Sequence, residues 1–115
     1  MPITPEIRAL VDRLNREIDL IEQSATEGLN RARPILYQFP ENARLIQMFA
    51  TLNNSLLFAD NSRKRTQIIV ESISPTNVAA EVFQEAAEDL GELLGRLLEV
   101  KILVNGVVTV LEDLA

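Results

Sequence analysis

Apolar residues recur along this chain at alternating steps of three and four. In the first third they run Ile7, Val11, Leu14, Ile18, Ile21, Ala25, Gly28, Ala32 and Ile35. The second third continues with Leu45, Phe49, Leu52, Leu56 and Ala59, passes through Arg63 and Thr66, and ends on Val70 and Ile73. The last third gives Ala79, Val82, Ala86, Leu90, Leu93, Leu97, Val100, Val104, Val107, Leu111 and Leu114. Steps averaging about 3.5 residues trace one stripe along a helix, close to a coiled-coil seam, whereas strands alternate every second residue.

Proline marks the boundaries. Thr4-Pro5-Glu6 reads as an N-cap, a proline at the first helical position and an acid favoured by the helix dipole. Phe39-Pro40-Glu41 and Ser74-Pro75 repeat that punctuation. The spacing therefore predicts three helices, at roughly 5–36, 41–73 and 76–113, each about 50 Å long at ~1.5 Å per residue. Short connections imply antiparallel neighbours. The expected fold is all-α, an elongated antiparallel bundle of three long helices forming a single domain over 1–115.

Three places resist this reading. Pro34 falls inside the first stripe and is expected to kink the helix or end it near Arg31. Ala59-Asp60-Asn61-Ser62 offers a break near 59–62 that would give four helices. Against it, Arg63-Lys64-Arg65 would then occupy a first helical turn, where the dipole disfavours cations. Asn105-Gly106, set among β-branched residues, is a hairpin signal for 100–111. An isolated hairpin is barely stable, however, and the helical stripe runs on to Leu114.

Composition narrows the chemistry. Of 115 residues, 47% are hydrophobic and none is His, Cys or Trp. No Cys means no disulfide framework, thiolate nucleophile or Cys-bound metal. No His removes the commonest general base and metal ligand. No cofactor is expected, no catalytic residue is assigned, and the chain is read as not an enzyme. The formal charge is −6, and 75–115, with eight acidic and two basic residues, carries a net −6 by itself. That balance disfavours binding to nucleic acid or an anionic membrane. The Met1-Pro2-Ile3-Thr4-Pro5 start carries no targeting pattern, and no apolar run approaches the ~20 residues of a membrane span. A cytoplasmic location is the plain expectation.

Four features invite a functional reading. Glu81, Glu85, Glu88 and Glu92 share one helical face, and Asp89 lies beside them. They would suit a divalent metal in an all-α hydrolase, or more simply face water. Arg63-Lys64-Arg65 would suit a dimeric nucleic-acid-associated regulator, or simply pair with the acidic third helix. Ala87, Gly91 and Gly95, four residues apart, form a smooth stripe that lets another backbone come close. Finally, the third helix is apolar over far more than one stripe, and such a helix needs extra cover. The favoured function is a non-enzymatic helical interaction module, an adaptor, scaffold or regulatory partner that self-associates through its third helix, with a dimer favoured. Leu93, Leu97, Leu98, Ile102 and Val104 are the expected contact anchors, with Gly91 and Gly95 permitting close approach. A basic protein partner is a further possibility for the acidic face.

Overall fold

The first helix begins where its capping chemistry places it. In the computed structural model, which describes residues 3–114, the Thr4 hydroxyl accepts the Ile7 N–H at 3.2 Å. Pro5 opens α1 (Pro5–Gln38). Pro34 does not end it. It sits on the exposed side four residues before the last helical position, so the carbonyl it leaves unpaired can face water.

The second and third helices start later than their prolines suggest. Asn42, not Phe39, caps α2 (Ala43–Ile73), its side-chain oxygen accepting the Leu45 N–H at 3.0 Å. An Asx side chain satisfies a first-turn amide, which Phe39 has no group to do. The Ser74 hydroxyl donates back to the Val70 carbonyl at 2.7 Å, so it closes α2 instead of opening the next helix. After a turn over 75–79 comes α3 (Ala80–Leu114).

Both alternative breaks are absent. α2 runs unbroken through 59–62, and α3 runs unbroken through Asn105-Gly106. There is no strand among the described residues. The hairpin signal loses because Val104, Val108 and Leu111 are all buried on one helical face. A hairpin would remove them from that face with no further strand to cover it.

The three helices share one hydrophobic core and form a rod 59 × 19 × 16 Å in extent. α1 packs on both of the others more extensively than they pack on each other. Contacts that climb α1 descend α2, since Asp19 and Glu22 meet Arg63 while Gly28 meets Leu52. Contacts with α3 climb both helices, Glu17 meeting Lys101 and Gly28 meeting Val108.

α2 corrects the expected stripe by one residue on one side. Its buried positions are Leu45, Met48, Leu52, Ser55, Ala59, Ser62, Thr66, Ile69 and Ile73. Phe49, Leu56 and Val70, and Arg63, are half-buried at the flank. Two of the buried hydroxyls are satisfied within the helix: Ser55 donates to the Thr51 carbonyl and Thr66 to the Ser62 carbonyl, each at 2.8 Å. Ser62 is only 2% exposed and its own hydroxyl has no partner.

Candidate functional site

The expected contact residues of α3 divide between two faces. Leu93, Leu97 and Val104 are buried and serve the molecule's own core. Leu98 is half-buried and packs against that core from the side. Gly91, Gly95 and Ile102 are exposed. Steps of four, three and four keep 91, 95, 98 and 102 on one side of a helix, and of these only the half-buried Leu98 packs against the core. The three core residues belong to the inner stripe, which any bundle buries. Only the second stripe is left for a partner.

Ile102 is 74% exposed and its neighbour Leu103 is 53% exposed. A Cβ placed on Gly91, Gly95 or Gly106 would meet nothing within 4 Å. These glycines therefore leave open surface that no other part of the described structure covers. Beside Ile102 and Leu103 the looser seam between α2 and α3 opens into a shallow groove of about 510 Å³, floored by Met48 and Val107. Other large apolar residues are exposed too, including Leu20 on α1 and Ile46, Leu57 and Ile68 on α2. These stand one at a time, as on many monomeric surfaces. The Ile102–Leu103 pair is adjacent in the chain and borders a groove, as Phe39 and Leu114 border the open end of the rod. The α2 side of that groove was not legible in advance, because Met48 and Thr51 become its walls only once α2 turns the Met48 column inward.

The basic run is taken up inside the molecule. The Arg63 guanidinium bonds Asp19 at 2.9 Å and also Glu22, joining α2 to α1. The hydrogen bond to Asp19 is the largest cause raising the Arg63 pKa. Glu22 adds to the rise, and partial burial opposes it. Lys64 pairs with Asp60 at 3.1 Å along its own helix. Arg65 lines one small cleft with Asp89, Glu92 and Arg96 of α3. Three cations with acids at hand leave little net positive field for a polyanion.

The acidic run of α3 stays on its surface. Glu81, Glu85, Glu88, Asp89 and Glu92 are exposed, and Glu92 pairs with Arg96 at 3.2 Å. No three carboxylates converge on a metal-sized space among the described residues. The acid that does enter the interior is Glu17 of α1. It is 8% exposed and takes both of its hydrogen bonds from the Lys101 ammonium, at 2.9 and 3.1 Å. Lys101 is one of only two cations after residue 74, so this pair ties α3 to α1 at a single register.

No helix among the described residues is long and apolar enough to cross a membrane. The chain matches no family model, no curated protein and no solved structure.

Proposed function

We propose that this chain is a non-enzymatic interaction module that pairs with a second copy through the outer side of α3. The observation that supports this is the exposed Ile102–Leu103 pair on the same side of α3 as the uncovered Gly91 and Gly95. Ile102 lies seven residues, two helical turns, beyond Gly95. A two-fold axis across α3 between them sets each copy's Ile102 over the other's Gly95. This is a self-complementary contact of the kind closed dimers use. Each large aliphatic side chain so covered contributes about 1.5–3 kcal/mol relative to exposure. The role that follows is assembly, as an adaptor, scaffold or regulatory partner.

Sedimentation or light scattering over a range of protein concentrations tests it. The expected result is a mass that doubles with concentration in the wild type and stays at one chain in Ile102→Glu/Leu103→Glu. Both residues are exposed in the single chain, so the double variant should keep its helicity. A wild type that remains a single chain at millimolar concentration sinks the proposal.

A further inference from the structure

The end of the rod where α1 finishes, α2 begins and α3 finishes is not closed. The connection over residues 39–42 joins α1 to α2 and leaves α3 uncovered there. The result is a cavity of about 340 Å³ lined by Ile35, Phe39, Leu45, Met48, Val110 and Leu114, with Asn42 and Arg44 as its polar side chains. Leu45 and Met48 are buried and form the floor, while Phe39 and Leu114 are exposed at the rim. A volume of this order is at the lower bound of ligand pockets.

The polar side chains at the cavity are Arg44 and Asn42. Arg44 makes no ion pair among the described residues. Asn42 accepts the Leu45 N–H on its side-chain oxygen, and its amide N–H groups are available as donors. Guanidinium and amide N–H are donors, and they stand at the mouth of an aliphatic hollow. The acids of this end of the chain, Glu41, Glu112 and Asp113, do not line it. We infer that this cavity binds a medium-chain acyl carboxylate, with its tail between Leu45, Met48 and Val110 and its carboxylate on Arg44 and Asn42. At ~30 Å³ per water-sized group the hollow takes about ten heavy atoms. None of Gly91, Gly95, Leu98 or Ile102 lines it, although Arg44, Met48 and Val110 also line the groove beside Ile102 and Leu103.

The test is a titration of the full chain with decanoate, decanol and decyltrimethylammonium, each below its micelle concentration. Binding is followed at the methyl resonances of Leu45, Met48 and Val110. Decanoate should shift all three saturably and bind about tenfold tighter than decanol, the difference that one charge-assisted hydrogen bond brings. Arg44→Gln should bring decanoate down to the level of decanol. Val110→Trp should abolish both while leaving the helical circular dichroism intact. If that variant fails to fold, Leu114→Trp at the exposed rim blocks the mouth instead. Absence of saturable shifts overturns the assignment. So does equal binding of the ammonium head, or a decanoate preference that survives Arg44→Gln. Leu45 lines this cavity and not the groove beside Ile102, so a shift of its methyls on diluting the protein alone would show a second copy filling the cavity, and would overturn it too.

Discussion

The chain carries small residues at helical spacing on two helices, and the structure puts them to opposite uses. On α1, Ala25, Gly28 and Ala32 face inward and are buried. A Cβ on Gly28 would come within 2.8 Å of Leu52 Cδ1 and 3.1 Å of Val108 Cγ2, so all three helices converge there. On α3, Gly91 and Gly95 face outward and meet nothing. The same sequence feature thus marks a filled contact in one helix and an open one in the other. Glycine in a helix costs ~1 kcal/mol relative to alanine wherever it sits. At Gly28 the close approach of Leu52 and Val108 offsets that cost. At Gly91 and Gly95 nothing within the described structure does.

The largest test of this contrast is at the filled contact. Gly28→Val forces a branched side chain onto Leu52, which is wholly buried, and onto Val108. Overpacking of this kind typically costs about 1–3 kcal/mol. We expect denaturant unfolding to show a loss within that range, since the atoms met are the methyl ends of Leu52 and Val108, both buried and with little room to turn. A variant as stable as wild type would mean that the helices separate there without cost, and the contrast would fail on its inner side.

That inner side was only partly legible in the sequence. The α1 stripe from Leu14 to Ala32 is buried as its spacing indicates, Gly28 included. The α2 stripe is right at Leu45, Leu52, Ala59, Thr66 and Ile73, and one residue off in between. One residue is about 100° of rotation. Ranking by hydrophobicity selects Phe49 and Leu56 over Met48 and Ser55. Burial selects otherwise, because a serine in a helix can satisfy its hydroxyl on its own backbone and its small volume lets the helices close up. The same limit hid the candidate site. The apolar excess of α3 is plain in its sequence, but it names Leu93, Leu97 and Val104 together with Ile102. Only packing separates the stripe that meets α1 and α2 from the stripe left over. The cavity at the rod's end was invisible in the sequence, because its walls come from the last or first turns of three helices and the proline at 40 suggested an earlier α2.

A second test uses the polar contact on the inner side. Glu17 is almost wholly buried, whereas Lys101 is half-buried and can reach water along its stem. The two halves of this pair should therefore be unequal. Lys101→Met leaves a buried carboxylate without its donor, and should cost about 2–3 kcal/mol. Glu17→Gln keeps a polar acceptor and lets the ammonium turn outward, at a cost of about 1 kcal/mol. Urea unfolding of both variants, with the double variant closing the cycle, measures the difference. Equal losses would mean that Glu17 is as well hydrated as Lys101. The inner face would then be less sealed than Gly28 implies.

The smallest effect falls on the outer face, and it separates a spare surface from a used one. Gly91→Ala and Gly95→Ala each add a methyl group into open space in the single chain. In dilute solution each should raise stability by about 1 kcal/mol through helix propensity alone. If the partner's Ile102 seats on Gly95, the gain from Gly95→Ala must shrink as protein concentration rises, because the added methyl occupies the space that the dimer uses. Gly91→Ala, one turn farther from the axis, should shrink less. Thermal unfolding of both variants and wild type across a hundredfold range of protein concentration reads this directly. Constant gains would take the glycines out of the contact and leave Ile102 and Leu103 as an apolar pair without a surface to seat on. A gain that falls with concentration at position 95 and holds at position 91 would fix the two-fold axis between Gly95 and Ile102, since only a contact in that register distinguishes two glycines that are equally open in the single chain.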